Sequence, residues 1–192
     1  MTRVAVIGVG SMGKNHARVY SELPEAELVA VADENEANAT SVGNTFGARG
    51  YTDYRALLEK EKPEAVSIAV PTALHETVAL AALEAGAHIL VEKPIAATLE
   101  EGQHIIEAAR RYQRCLMVGH IVRFNPATQA LKAHLEAGEL GRIFQIVCRR
   151  VGPFPTRIQD VGVVIDLSPH DLDVMRFVTG DEPVSVFAET EK

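Results

Sequence analysis

The sequence predicts an α/β protein, with a doubly wound parallel sheet over residues 1–120 and the first part of an α+β domain over residues 121–192. Two observations support this prediction. Short apolar runs alternate with helical patterns as far as residue 120, which is typical of a parallel sheet covered by helices on both faces. A glycine-rich turn also joins the first strand to the first helix, as in sheets of this kind.

The elements of the first 120 residues follow one another in strand–helix order. Each predicted strand is a short apolar run, and helices end at turn residues such as Gly86. The predicted strands are 3–9, 27–33, 65–70, 88–92 and 115–120. The predicted helices are 12–21, 34–46, 73–86 and 99–112, with a short connection and helix at 51–59.

After residue 120 the pattern changes and the domain looks incomplete. Asn125-Pro126 opens a helix that runs to about Ala137, and an alternating strand is predicted at 142–151. A proline-rich loop, a helix over 165–180 and a strand from 183 follow. Two strands are too few for an independent sheet. We expect that the chain is a fragment or that another subunit supplies the neighbouring strands.

Composition excludes several classes of function. The net charge of −7 makes nucleic acids and anionic membranes poor partners. No apolar run approaches the ~20 residues of a membrane span. The two cysteines lie in apolar, strand-like runs, so we expect no disulfide framework and a reducing, cytoplasmic setting. The histidines are scattered without metal-ligand spacing, so we expect no metal site.

The motif GVGSMG (residues 8–13) follows a strand and opens a helix, which is the required context of a dinucleotide-binding fingerprint. Gly8 permits the tight turn, Gly10 lets the backbone approach a pyrophosphate, and Gly13 lets the helix pack on the strand. Ser11 and Met12 belong to the helix start that attracts the phosphates. The alternative is a glycine-rich turn without a ligand.

Asp33 ends the second predicted strand, 20 residues after Gly13. An acidic residue at this distance accepts hydrogen bonds from the ribose hydroxyls of the dinucleotide. Its carboxylate would repel the 2′-phosphate of NADP. The sequence therefore predicts NAD rather than NADP.

Polar residues also follow two later strands of the predicted sheet. Pro71, Thr72 and His75 follow strand 65–70 and could line the cofactor cleft, but Thr72 could equally be a helix N-cap and His75 a surface residue. Glu92, Lys93 and Pro94 follow strand 88–92. A lysine fixed there by proline can stabilise an alkoxide or lower the pKa of a neighbouring hydroxyl; the alternative is a surface lysine.

Asp166 and His170 are four residues apart in the segment DLSPH. On a continuous helix they would share one face. The same letters also fit a capping box, with Ser168 as N-cap and Pro169 as the first helical residue. A catalytic pair and a plain helix cap both remain open from these residues alone.

Taken together, the glycine fingerprint, EKP (92–94), GHIVRFNP (119–126) and GVVIDLSPHDLDVMRFVTG (162–180) resemble the Gfo/Idh/MocA family of NAD(P)-dependent sugar and polyol dehydrogenases. The match covers essentially the whole chain in the family's order. The resemblance implies a Rossmann domain, then an open-sheet domain that binds substrate and forms a homo-oligomer when complete. It also implies that the Lys93–Pro94 peptide bond can be cis.

The resemblance also assigns residues to roles. It implies that Lys93, Asp166 and His170 are catalytic and that Arg123 and Asn125 line the substrate pocket. His170 would be the general base, Asp166 would orient it, and Lys93 would stabilise the alkoxide. The residues expected to contact the cofactor are Gly8, Gly10, Ser11, Met12, Gly13, Asp33, Pro71, Thr72, His75, Glu92 and Lys93.

The segment RRVGPFPTRIQDVGVVIDL (149–167) resembles family members that oxidise the 3-hydroxyl of UDP-N-acetylglucosamine. Arg149 and Arg150 face opposite sides of an alternating strand, so only one of them, which we take to be Arg150, can reach the cleft. With Arg157 and Arg123 it could bind a diphosphate through paired hydrogen bonds; the alternative is a solvated arginine cluster on a surface loop. We therefore expect a nucleotide sugar as the small-molecule substrate. Two alternatives stay open: a dehydrogenase of myo-inositol, another polyol or a free sugar, and a truncated module that binds NAD without turnover.

Overall fold

The structure is a computed structural model that describes residues 1–151 and 163–189. It divides into two compact units, residues 1–119 and residues 120–192. No helix in the described residues is long and apolar enough to span a bilayer.

The N-terminal unit contains one six-stranded sheet in which every pair of neighbouring strands is parallel. The strand order is β3-β2-β1-β4-β5-β6. From β1 to β3 the chain adds strands toward one edge of the sheet, and from β4 to β6 it adds them toward the other edge, so the order of connection switches between β1 and β4. This confirms the predicted doubly wound fold. The strands are β1 (Thr2–Ile7), β2 (Ala26–Ala32), β3 (Arg49–Tyr51), β4 (Ala65–Ile68), β5 (His88–Val91) and β6 (Leu116–Val118).

Five helices connect these strands, and side chains cap three of them. Asn35, Asp53 and Thr98 each accept hydrogen bonds from amides in the first turn of the helix that follows. Thr98 forms a full capping box with Glu101. The helices are α1 (Ser11–Glu22), α2 (Glu36–Phe46), α3 (Tyr54–Glu61), α4 (His75–Glu84) and α5 (Leu99–Arg111).

Apolar side chains from both faces of the sheet are buried. On β1, Val4 and Val6 pack in one cluster with Ala17 of α1 and Val42 of α2. The alternate residues of β1 pack in a second cluster with side chains of α3, α4 and α5, such as Ile105. Because both faces are covered, each central strand is an almost continuous apolar run in the sequence.

Two details differ from the predicted elements. The predicted connection at 51–59 is preceded by the short edge strand β3, which is too short to show a period-2 pattern. The predicted strands 3–9, 65–70 and 115–120 also extend two residues too far at their carboxyl ends. Val9 is fully buried although it lies in the loop after β1, so burial there continues past the last ladder residue.

The regular secondary structure in the described part of the C-terminal unit is helical. A short 3₁₀ turn (Ile121–Phe124) leads into α6 (Pro126–Glu136), and α7 spans Val163–Thr179. Asn125 caps α6 by accepting a hydrogen bond from the Ala127 amide at 2.9 Å. The predicted helix after Asn125-Pro126 is thus present.

The prediction of two strands in the C-terminal unit is wrong for the residues that the structure describes. Neither 142–151 nor 183–189 is in a strand, and Phe144 and Phe187 are exposed. An alternating pattern forms a strand only when a neighbouring strand accepts its hydrogen bonds and covers its apolar face. Among residues 1–151 and 163–189, none forms a ladder with these segments. The proline-rich loop predicted at 152–160 lies outside the described residues.

Candidate active site

The loop between β1 and α1 requires glycine at two of its three motif positions. Gly8 has φ +84°, and a Cβ there would lie 2.7 Å from the Ala69 carbonyl carbon. A Cβ on Gly13 would lie 1.8 Å from the Gly8 carbonyl oxygen. At Gly10, in contrast, an added Cβ would meet no atom within 4 Å. The first and third glycines allow the loop to fold, and the second leaves open space in front of the backbone.

The first turn of α1 faces this open space with its backbone amides. Gly10 is the N-cap of α1 and has no side chain to cap the helix. Ser11 and Met12, which begin the helix, are exposed. Uncapped amides at a helix N-terminus carry partial positive charge and bind phosphate groups. The residues present therefore fit the pyrophosphate of a dinucleotide.

The carboxylate of Asp33 is held against the glycine loop. Its Oδ2 accepts a hydrogen bond from the Val9 amide at 2.9 Å, and its Oδ1 accepts one from the Asn35 amide at 3.0 Å. The side-chain amide of Asn38 lies 3.4 Å from the same Oδ1. These bonds fix the carboxylate at the end of β2, where the sequence predicted an acceptor for ribose hydroxyls. They also give Asp33 a second role, since it anchors the loop itself.

The turn after β4 corrects two alternatives considered from the sequence. Pro71, not Thr72, is the N-cap of the 3₁₀ turn Thr72–Leu74, and Leu74 is the N-cap of α4, so Thr72 is not the cap residue. His75 is 1% exposed and is not a surface residue. Its ring nitrogens lie 2.8 Å from the Pro94 carbonyl oxygen and 3.0 Å from the Val70 carbonyl oxygen. The role predicted for Thr72 and His75 in cofactor contact stays a prediction.

The segment Glu92–Lys93–Pro94 leaves the end of β5. The Lys93–Pro94 peptide bond is cis, as the sequence resemblance implied. Glu92 forms a 2.9 Å hydrogen bond with Nε2 of His16 on α1, and both side chains are largely buried. Lys93 is partly buried. The lysine thus follows a glutamate whose side chain is fixed by another element of the same unit.

In the C-terminal unit, Asp166 and His170 lie one turn apart on α7. The helix continues through Pro169, so the capping interpretation of Ser168 is wrong. The Ser168 hydroxyl instead donates a hydrogen bond to the Val164 carbonyl within the helix. The same face of α7 carries Asp173, which is 4% exposed. This arrangement agrees with the pattern of a continuous helix that places Asp166 and His170 on one face.

Sequence reasoning missed Asp173, which binds Arg123. The guanidinium of Arg123 donates two hydrogen bonds to the Asp173 carboxylate, at 2.7 Å and 2.5 Å. Burial alone would raise the pKa of Asp173. The hydrogen bond from Arg123 and the nearby charges of His120, Arg123 and Arg176 outweigh burial, so the pKa lies below its usual range. The available signal was the spacing of Asp173, three residues after His170.

The arginines expected to bind a diphosphate are engaged elsewhere or not described. Arg123 holds Asp173, and Arg150 donates hydrogen bonds to Asp171 at 3.1 Å and 2.7 Å, which lower the pKa of that carboxyl. Arg157 lies outside the described residues. The described contacts therefore add no support to a preformed diphosphate site. Within residues 1–151 and 163–189 there is also no cluster of side chains suited to hold a metal ion.

Two family models match the chain. Residues 2–120 match the oxidoreductase family model described as an NAD-binding Rossmann fold. Residues 128–192 match the GFO/IDH/MocA C-terminal domain. The two matches together cover most of the chain, with the cofactor-binding model on the glycine loop, Asp33 and Lys93.

Several relatives of named activity match over nearly the whole chain. UDP-N-acetylglucosamine 3-dehydrogenase of Acidithiobacillus ferrooxidans is 39% identical over 97% of this chain and 57% of its own length. The scyllo-inositol 2-dehydrogenase (NAD(+)) of Bacillus subtilis is 34% identical over 96% of this chain and 56% of its own length. A crystal structure of the Acidithiobacillus enzyme superposes with a TM-score of 0.81 at 38% identity, over 96% of this chain and 58% of that one. The chain therefore spans a little over half the length of these relatives.

Proposed function

The chain belongs to the Gfo/Idh/MocA oxidoreductase family, and from this premise we propose that it is the cofactor-binding part of an NAD-dependent dehydrogenase of a sugar secondary alcohol. One observation carries the proposal: the Asp33 carboxylate is anchored at the glycine loop, where an acceptor for ribose hydroxyls is needed. The uncapped first turn of α1 supports the same cofactor, because it offers amides to a pyrophosphate.

NAD is the proposed cofactor rather than NADP. A 2′-phosphate would approach the Asp33 carboxylate, whose two oxygens already accept hydrogen bonds from the neighbouring backbone. The described hydrogen bonds of Asp33 come from Val9, Asn35 and Asn38, and none comes from an arginine that would offset the repulsion. The name of the Bacillus relative, which includes NAD(+), is consistent with this choice.

The chemistry proposed for the chain's residues divides between the two units. His170 would take the proton of the reacting hydroxyl as general base, and Asp166, one turn earlier on α7, would orient the imidazole. Lys93 would stabilise the developing alkoxide with its ammonium group. When bound, the nicotinamide supplies the acceptor for the hydride.

UDP-N-acetylglucosamine, oxidised at the 3-hydroxyl, is the proposed substrate. The support is the 39% identity with the Acidithiobacillus enzyme of that name and the resemblance through residues 149–167. An inositol or other polyol is the second candidate. It is favoured by the pairing of Arg123 with Asp173 and of Arg150 with Asp171, since a polyol needs no arginine for a diphosphate.

Calorimetry and a substrate comparison test these proposals. NAD should bind the chain at least tenfold more tightly than NADP, a difference of about 1.4 kcal/mol. Asp33→Asn keeps an oxygen acceptor for the Val9 amide but removes the negative charge. It should therefore reduce the ratio of the Kd for NADP to the Kd for NAD. Equal binding of NAD and NADP by the unaltered chain would contradict the cofactor choice.

Turnover is best assayed on an extended protein, in which Lys192 is followed by the corresponding C-terminal part of the Acidithiobacillus relative. UDP-N-acetylglucosamine should give a higher kcat/KM than free N-acetylglucosamine and myo-inositol. Equal kcat/KM values for UDP-N-acetylglucosamine and free N-acetylglucosamine would show that the protein does not recognise the UDP group. A preference for myo-inositol would assign the function to the second candidate.

A further inference from the structure

Two histidines from different helices hold the two ends of the segment Glu92–Lys93–Pro94. His16 of α1 binds the side chain of Glu92, and His75 of α4 binds the carbonyl oxygen of Pro94. Lys93 lies between the two attachment points. All of these residues belong to the N-terminal unit.

The attachment through His16 is part of a buried network. Nε2 of His16 lies 2.9 Å from Glu92 Oε1, and Nδ1 lies 3.2 Å from the Ser67 hydroxyl, which also contacts the Tyr20 hydroxyl at 2.7 Å. The side chains of His16 and Glu92 are 16% and 14% exposed. Because both ring nitrogens have partners, the imidazole orientation is fixed, and with it the position of the Glu92 carboxylate.

Gly119 lets the Glu92 carboxylate lie close to the backbone on the other side of the network. A Cβ on Gly119 would lie 2.9 Å from Oε1 of Glu92. The Gly119 amide also donates a hydrogen bond to the Val91 carbonyl at 2.8 Å, so the backbone there is tied to β5. The Glu92 carboxylate thus lies between His16 and the backbone at Gly119.

The attachment through His75 is fully buried. The imidazole, 1% exposed, lies between the carbonyl oxygens of Pro94 and Val70. Val70 follows the end of β4, so His75 connects the turn after β4 with the turn after β5. A neutral imidazole has one N–H, so it donates a hydrogen bond to one of these two carbonyl oxygens at a time, and removing this buried side chain would leave that carbonyl without its partner.

We propose that His16 and His75 are positioning residues that fix the backbone on both sides of Lys93 for its role at the substrate hydroxyl; this inference rests on the proposed function of Lys93. A lysine side chain is long and flexible, so its ammonium group can be held in place only if the backbone is held. A displacement of about 1 Å at a reacting group can lower a rate by about 10²-fold.

The first test measures kcat and NAD affinity of the extended protein. His16→Leu and His75→Leu should each lower kcat about tenfold to a hundredfold. For His16→Leu, which changes a residue that is not among the expected cofactor contacts, the Kd for NAD should change less than threefold. His16→Gln should recover part of kcat, because its amide can still donate to Glu92. His104→Gln is the matched control: His104 binds Glu76 on the surface of the same unit at 2.6 Å, and its loss should leave kcat unchanged.

A double-variant comparison separates positioning from general loss of structure. In a Lys93→Ala background, adding His16→Leu or His75→Leu should lower kcat by less than twofold further, since the group they position is gone. A multiplied loss of kcat in the double variant would overturn the inference. So would unaltered kcat in both single histidine variants when Lys93→Ala alone lowers it strongly.

Gly119→Ala provides a second test of the His16 attachment if His16→Leu does not fold. The added methyl group should displace the Glu92 carboxylate from His16 without removing either side chain, and kcat should fall several-fold with NAD affinity kept. Unchanged kcat in both Gly119→Ala and His16→Leu would overturn the role of the His16 attachment. If Lys93→Ala itself keeps kcat, the proposed function of Lys93 fails, and the inference fails with it.

Discussion

At the scale of single residues, the catalytic roles proposed for Lys93 and His170 make a direct prediction. Lys93→Ala and His170→Ala in the extended protein should each lower kcat with the Kd for NAD nearly unchanged, because both groups are proposed to act on the substrate hydroxyl. Loss of a general base lowers rates by about 10²–10⁴-fold. Steady-state kinetics and calorimetry measure the two quantities.

The control for this prediction is His134→Ala. His134 lies on α6, is exposed and pairs with Glu139, so its loss should change neither kcat nor NAD affinity. If His170→Ala keeps the kcat of the unaltered protein at neutral pH, His170 is only a structural residue of α7.

The sequence predicted local features of the candidate site better than partnerships between distant residues. The glycine loop and Asp33 lie where the motif spacing indicated, because a strand, a tight turn and a helix fix their own geometry. The partner of Glu92 was not predicted, since His16 is 76 positions away in the chain. The pairing of Arg123 with Asp173 was missed for the same reason, and an arginine expected to bind substrate instead binds an aspartate of its own unit.

At the scale of secondary-structure elements, α7 depends on the pair Arg123–Asp173. This pair joins the 3₁₀ turn Ile121–Phe124 to α7, and Arg123 also lies over the Phe177 ring at 5.4 Å. Arg123→Met would leave the Asp173 carboxylate buried without its bidentate partner, which costs on the order of 1–3 kcal/mol. We expect faster hydrogen exchange of the α7 amides in Arg123→Met, measured by mass spectrometry.

Two further variants and a pH series sharpen this prediction. Asp173→Leu added to Arg123→Met should recover part of the protection, because the unpaired charge is gone. Arg176→Met removes an exposed pair with Glu182 and one of the more weakly acting charges near Asp173, so it should change protection less than Arg123→Met. The pKa of Asp173 is lowered in the folded state. The ionised carboxylate therefore stabilises the fold at pH values above its unfolded pKa of about 4, and this stabilisation is lost as the pH falls through its folded pKa. Equal protection of all variants at neutral pH would contradict the prediction.

Elements with local signals were predicted, and elements that need distant partners were not. Helix α6 carries its own N-cap, Asn125, and the turn at Gly86 has φ +88°, so both could be predicted from neighbouring residues. The strands predicted at 142–151 and from 183 have the right alternation but no ladder partner among the described residues. The Ser168 cap failed because Pro169 is accommodated inside α7.

At the scale of the whole molecule, the fold of the N-terminal unit follows from the sequence alone. Its strands are buried on both faces, its connections alternate with helices, and parallel neighbours need such crossovers. In the observed strand order, β1 and β4 lie side by side at the point where the order of connection switches. The glycine loop follows β1 at this point. The C-terminal unit could not be predicted in the same way. Its predicted strands need neighbouring strands, and none of the described residues pairs with them.

We therefore predict that the 192-residue chain binds NAD but turns over little or no substrate. The glycine loop, Asp33 and Lys93 all belong to the N-terminal unit, whose sheet has its six strands. Residues 142–151 and 183–189 expose large apolar side chains, with Phe144 87% and Phe187 86% accessible. Extended apolar segments of this kind promote association between chains. Calorimetry should detect NAD binding, native mass spectrometry should detect oligomers, and the extended protein should restore turnover.

The comparison must use the same substrates for both proteins and include Lys93→Ala in the extended protein as the inactive control. Turnover that appears only in the extended protein would mean that the reaction needs residues beyond those of the 192-residue chain. Asp33→Ala removes both the charge and the acceptor for the Val9 amide. If this change abolishes NAD binding in both proteins, the 192-residue chain and the extended protein bind NAD at the same site. Substantial turnover by a monodisperse monomer of the 192-residue chain would refute the prediction.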